Sequence, residues 1–239
     1  MIIKNHHSHW GGFVLLALTI VAALIFEHSL LDVSISELFY TNGHWLLEKG
    51  QQPYAFIFYD LPKALLILLV TVLLLTLALR YLHRKADVKT VTAPFFIRTL
   101  TTLSNREIGY LVITIIAVPT IIASLKAVTH VSCPNQLSLF NGSLPYLNLW
   151  QDIQMMTPAR CFPAAHASAG FALFGVAYLP RLKHQRVKII ILASLLGWTM
   201  GIYKMLIGDH FFSHTLVSML LSLTIAYVIA IIFFPKKTQ

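Results

Sequence analysis

Seven ionisable side chains fall at the ends of otherwise apolar runs. Lys126 closes one run, Arg160 and His166 flank the start of the next, and Lys204 lies near the end of another. Asp209, His210 and His214 open the last. Imidazole is the side chain best suited to move protons or act as a nucleophile near neutral pH. Lysine and arginine neutralise oxyanions. Ionisable groups bordering apolar helices are costly, so each is a functional candidate. A single histidine in a helix is ordinarily a structural residue. A pair beneath three cations is poorly explained that way, because bare cations around an apolar bundle need an anion. Together these residues suit a phosphate pocket.

Helix rules place them further. Pro163 fits the first turn of a helix, where its missing N–H is harmless, and this puts His166 in that turn. Asp209 is expected as the N-cap of the last helix, with His210 in its first turn. His210 and His214 then share one helix face at i and i+4. Two helix N-termini would face the same side, each attracting anions through free N–H groups and the macrodipole.

The elements that must carry these residues are membrane spans. Of 239 residues, 57% are hydrophobic and 11% charged, against roughly 25% charged in a soluble domain. Uncharged runs such as Ala64 to Leu79, Ile108 to Leu125 and Phe211 to Phe234 read as transmembrane helices, not as a soluble core. The expectation is an all-α, polytopic membrane bundle with about six transmembrane helices, near 11–28, 62–82, 107–126, 163–180, 187–206 and 211–234. The first apolar segment reads as a retained span, without a convincing signal-peptide cleavage site.

The formal charge is +9, and its distribution reflects topology. Lys49, Lys63, Lys126, Arg160 and Lys204 fall on one side of these spans; the other thirteen Lys and Arg, including Lys4, Arg84, Lys85, Arg98, Arg186 and Lys237, fall on the other. The positive-inside rule makes the richer side cytoplasmic, with both termini inside. The histidine site then faces outward, toward the periplasm if the membrane is a bacterial inner membrane, and no nucleic-acid partner is expected. Cys133 and Cys161 lie on the same outer, oxidising side. A Cys133–Cys161 disulfide would close the long outer loop and hold Arg160 toward the phosphate; two buried free thiols are the alternative.

No linker, repeat or low-complexity tract divides the chain, so residues 1–239 are read as a single membrane domain. The outer segment 29–61 is rich in aromatic residues suited to the headgroup zone; interfacial anchoring is the simpler role, substrate entry the sharper one. The basic inner loop 83–106 reads as a topology determinant, with anionic lipid as a secondary partner. Loop 127–162 is long enough to be functional, and Asn141-Gly142-Ser143 matches a glycosylation sequon. His6, His7 and His9 read as a solvated tail rather than a metal tract.

At residues 107–234 the chain resembles the type-2 phosphatidic acid phosphatase superfamily, whose motifs are K-x6-R-P, P-S-G-H and S-R-x5-H-x3-D. The first appears as Lys126, six residues, then Cys133-Pro134. The second is Pro163-Ala164-Ala165-His166. The third is Tyr203-Lys204, five residues, His210, three residues, then His214. Cys-Pro and a closing histidine also occur in bacterial branches labelled lipid A 1-phosphatase-like. Cys133 stands where the family has a phosphate-binding Arg, Ala164 and Ala165 replace Ser and Gly, Lys204 replaces an Arg fork with a point charge, and His214 replaces the Asp that orients the nucleophile. Arg160 is positioned to take over the lost Arg.

The resemblance implies covalent phosphoryl transfer. His210 attacks phosphorus and forms a phosphohistidine, while His166 protonates the leaving oxygen and then activates water. Lys126, Lys204 and Arg160 hold the phosphoryl oxygens, and His214 accepts the N–H of His210. No metal or other cofactor is called for. The implied partner is a lipid phosphate, with undecaprenyl diphosphate, phosphatidic acid, phosphatidylglycerophosphate and lipid A as candidates, alongside bulk membrane lipid. Two other readings stand beside it. One is a zinc site on His210, His214 and either His166 or His130, disfavoured by three nearby cations. The other is a non-catalytic member that binds or moves a phospholipid.

Overall fold

The computed structural model describes residues 9–27, 29–82 and 102–235. His6 and His7 of the tail, most of the basic inner loop and Lys236 and Lys237 lie outside the described residues. Among the described residues, five helices are long and apolar enough to cross a membrane: α1 (His9–Glu27), α3 (Leu61–Leu82), α4 (Asn105–Thr129), α8 (Arg186–Leu206) and α9 (Phe212–Phe233). The chain is an all-α membrane helix bundle. Large apolar side chains remain exposed along α1 and α3, among them Trp10, Phe13, Leu65, Ile67 and Leu68. Such a surface belongs in lipid.

The span expected at 163–180 departs from this pattern. It is a shorter, broken apolar segment, α6 (Ala165–Phe171) followed by α7 (Phe174–Ala177). Its residues Ala167, Ser168, Gly170, Phe171, Phe174 and Ala177 are buried by neighbouring helices. A segment enclosed by protein does not need the unbroken span length that a lipid-facing helix does. Close approach is made by small residues: a Cβ on Gly170 would lie 2.8 Å from Gly197 Cα. Without those glycines, α6 could not sit so tightly on α8, and the residues at their outer ends would separate. The core around this contact includes Ile108, Tyr110, Val118 and Ile122 of α4 and Ala226 and Ala230 of α9.

Outside the bundle, α2 (Leu31–Glu37) leads into a two-residue antiparallel hairpin, β1 (Tyr40–Thr41) and β2 (His44–Trp45). Asn42 and Gly43 supply the positive φ of its tight turn, 54° and 83°, as such hairpins require. Tyr40, Trp45 and Phe140 then cluster, with ring centroids 5.1–5.2 Å apart. This cluster presses on the turn that carries His210. Gly208 has φ +72°, and a Cβ there would lie 2.3 Å from the Trp45 ring. Two requirements, left-handed backbone and close ring contact, therefore call for glycine at 208.

A π-helical turn, Phe56–Asp60, leads into α3. Leu61 N–H donates to Phe56 O, five residues back. Pro62 has no N–H with which to continue an ordinary α-helical ladder. The wider turn rotates Tyr59 and Asp60 relative to the lipid-facing stripe that follows. Single π turns of this kind recur at functional sites. A short helix α5 (Leu149–Met155) lies in the long loop between α4 and α6.

Candidate active site

Lys126 sits in the last turn of α4, which ends at His130 in the left-handed conformation, φ 53°. The chain beyond is tied back repeatedly. Ser132 N–H and Oγ–H donate to Asp152 at 2.9 and 3.1 Å, and Cys161 N–H donates to Val131 O at 2.8 Å. Thr129 Oγ–H donates to Phe162 O. Cys133 and Cys161 are joined by a disulfide with Cα atoms 5.3 Å apart. The first and second motifs are thus held together by covalent and hydrogen bonds, with Lys126 on one side and His166 on the other.

His166 lies in the first turn of α6, but Pro163, expected within that turn, lies before the cap residue Ala164 and outside the helix. Ala164, the residue capping that helix, donates its N–H to His214 O at 3.1 Å, which links the second motif to the third. The start of α9 differs from expectation. The helix begins at Phe212 with Phe211 as its cap, and Asp209 is not the N-cap. Asp209 is engaged elsewhere: its carboxylate accepts from Lys204 Nζ at 2.8 Å and from Asn135 Nδ2 at 3.2 Å. A distant carboxylate serves the helix end instead, since Asp32 accepts from Ser213 N–H at 2.9 Å and from Ser213 Oγ–H. His210 consequently lies in the turn before α9, not in its first turn.

His166 and His210 face a cavity of about 540 Å³, which Lys126, Lys204 and Asp209 also line. The two imidazole centroids are 6.1 Å apart. His210 is 2% exposed. Burial, reinforced by His214, Lys126, His166 and Lys204, pushes its imidazole well below the ordinary histidine range. His210 is therefore neutral near pH 7 and keeps a lone pair for nucleophilic attack.

Two sequence expectations fail geometrically. His210 does not donate from Nδ1 to His214; that atom is buried without a hydrogen-bond partner, as are Nδ1 of His166 and His214. The i,i+4 argument needs both residues in one helix, and His210 is outside it. His214 packs instead between the rings of Phe162 and Phe211, at centroid distances of 5.3 Å each. Arg160, expected to hold phosphate, is exposed and is not among the residues lining the cavity. Ala159 and Cys161 on either side are buried at 3% and 5%. Arg160 is thus the exposed residue between two buried neighbours.

The third cation on the cavity wall is Lys49, from the segment 29–61, and Tyr59, Asp60 and Gln52 come from the same region. A charge set among aromatic residues was their only signal in the sequence. Among the described residues, no group of three or more His, Cys, Asp or Glu is placed to hold a metal ion, so the zinc alternative has no ligand set there.

Residues 107–238 match the PAP2 superfamily. The chain belongs to the PAP2 superfamily. Membership assigns it a phosphatase-type function on lipid phosphates, and the long apolar helices make it an integral membrane protein. No curated protein and no solved structure matches the chain. The PAP2 match begins within α4 and runs through α9, so it includes Lys126, His166, Lys204, His210 and His214 but not the segment 29–61 that supplies Lys49 and Tyr59.

Proposed function

We propose that this chain removes a phosphate or diphosphate from an amphipathic lipid through a phosphohistidine intermediate at the outer membrane face. The observation that carries this reading is the pairing of His166 and His210 on one cavity, 6.1 Å apart, with Lys126, Lys204 and Lys49 on its walls. A ring nitrogen of His210 forms the N–P bond as the P–O bond to the lipid breaks. His166, protonated as the negatively charged lipid phosphate enters beside it, gives that proton to the departing oxygen. His166 then takes a proton from water, whose oxygen attacks phosphorus; the N–P bond breaks and phosphate leaves. The lysines balance charge on the phosphoryl oxygens, where most stabilisation in phosphoryl transfer resides. Metal-independent chemistry is part of the proposal.

The excess of Lys and Arg on the opposite side supports an outward-facing site with cytoplasmic termini. Undecaprenyl diphosphate, phosphatidic acid, phosphatidylglycerophosphate and lipid A are the candidate substrates, and a lipid A 1-phosphatase-like role is one form of the proposal. A second reading, a phospholipid-binding member without turnover, draws on two observations: the unpartnered Nδ1 of His210 and the neutralisation of Lys204 by Asp209. Phosphate release from a lipid phosphate panel, with and without chelator, separates them. His166→Ala and His210→Ala should each lower release by about 100-fold or more. Acid-labile phosphate trapped on the wild type should be absent from His210→Ala. Near-normal turnover in either variant would overturn the mechanism.

A further inference from the structure

Tyr59 occupies a position that the phosphatase motifs do not account for. Its ring centroid is 5.1 Å from that of His166. Lys204 Nζ lies 5.0 Å from the same centroid, and Lys63 Nζ lies 5.8 Å from it. One half-buried aromatic ring therefore touches the proposed acid and a proposed phosphate-binding cation together, from a segment outside the family match. The π-helical turn at Phe56–Asp60 brings it there.

Lys204 shows why such a ring matters. Its side chain is flexible, and a point charge has no intrinsic direction, unlike an Arg fork. Here Asp209 holds the ammonium at 2.8 Å, while the rings of Tyr59 and Tyr203 lie 5.0 and 5.8 Å away. Aromatic faces attract ammonium groups through their quadrupole, more strongly where water is excluded. Asp209 and the Tyr59 face both line the cavity, so the ammonium is held on its wall by two partners and not by the carboxylate alone.

We propose that Tyr59 is a positioning residue: its ring aims the Lys204 ammonium and braces the His166 imidazole so that both meet one phosphoryl group. The inference rests on the reading of this cavity as the phosphate site. It assigns the role to the ring and not to the hydroxyl. Phenylalanine should therefore preserve function, and a leucine of comparable bulk should not.

The test uses the full chain in detergent with two independent readouts: lipid phosphate turnover, and binding of inorganic phosphate followed by ³¹P NMR titration. Tyr59→Leu should lower kcat/KM by about 30-fold and weaken phosphate binding by about fivefold. Tyr59→Phe should stay within about threefold of wild type in both. Tyr54→Leu is the control for packing loss, because Tyr54 stacks on Phe58 at 6.5 Å and does not line the cavity. It should keep wild-type turnover and phosphate binding. Equal losses in Tyr59→Phe and Tyr59→Leu, or equal losses in Tyr54→Leu, would overturn the proposal. So would wild-type values in Tyr59→Leu. If the wild type binds phosphate but releases none from lipids, the hydrolase reading falls and the phosphate arm alone decides the role of Tyr59. If the wild type does not bind phosphate, both readings fall.

Discussion

Lys204 and Asp209 form an ion pair of 2.8 Å whose side chains are 8% and 17% exposed, on the wall of the cavity that also holds both proposed catalytic histidines. The backbone closes the same loop, because Asp209 N–H donates to Lys204 O at 2.8 Å. Asp209 satisfies the ammonium. On the proposed reading, a phosphate entering the cavity competes for it.

The pair makes opposite demands on stability and on binding. Asp209→Asn leaves Lys204 buried without a counter-charge, which should lower stability by about 3 kcal/mol. The same change removes the competitor for phosphate. Phosphate inhibition should tighten by about tenfold, and millimolar phosphate should restore much of the lost thermal stability by linkage. Thermal unfolding with and without phosphate checks both. A destabilised variant whose phosphate affinity is unchanged or weaker would show that Asp209 does not compete with the ligand.

Lys49 and Arg160 exchange the roles that sequence spacing suggests. Arg160 is exposed between two buried neighbours, and Lys49 lines the cavity. Arg160→Ala should leave kcat/KM within about twofold of wild type, as expected for an exposed charge. Lys49→Ala should raise KM by about fivefold to tenfold with a smaller effect on kcat, and Lys49→Arg should retain most affinity. Steady-state kinetics at fixed ionic strength decides between them. A larger loss from Arg160→Ala would return the third cation to the position next to Cys161.

Orientation is checked with reporter fusions. A fusion after Asn141 should report the outer side and one after Arg186 the cytoplasm, because the Lys and Arg asymmetry orients the spans. The reversed pattern would put the cavity in the cytoplasm and exclude substrates confined to the outer leaflet.

The sequence and the structure agree where local periodicity decides and part where a distant partner does. The long helices follow from uninterrupted apolar runs, and His166 falls in the first turn of α6 although Pro163 lies two residues before that helix and not within it. The α9 start departs from the local rule: Asp is a favoured N-cap in isolation, yet Asp209 is taken by Lys204 and Asn135. The helix end goes to Asp32, 181 residues away. No local rule detects such a pairing. Tyr59 and Lys49 were hidden for the same reason. Their relation to the histidines depends on a π turn and on packing of the outer segment, while their sequence neighbourhood suits interfacial anchoring equally well.

Asp32 provides the last test, in the pH dependence of stability. It is 7% exposed and holds the first turn of α9 through Ser213. Burial pushes its carboxyl up from 3.8 to about 6, although both Ser213 hydrogen bonds favour the charged form. The folded state therefore binds this proton more tightly than the unfolded state. The associated stability is fully present below 3.8 and is lost as pH rises through about 6. Its size is on the order of 3 kcal/mol. His210 acts in the opposite sense: its depressed imidazole costs stability as pH falls below the ordinary histidine range, so absolute curves mix the two. The informative quantity is the difference between wild type and Asp32→Asn, because Asn keeps an acceptor for Ser213 N–H but does not titrate. Relative to wild type, Asp32→Asn should gain stability steadily between about pH 4 and 6 and hold that gain at pH 7. Asp32→Ala should lose stability throughout, having no acceptor for Ser213. Parallel melting curves for wild type and Asp32→Asn across that range would mean that Asp32 carries its ordinary charge in the fold.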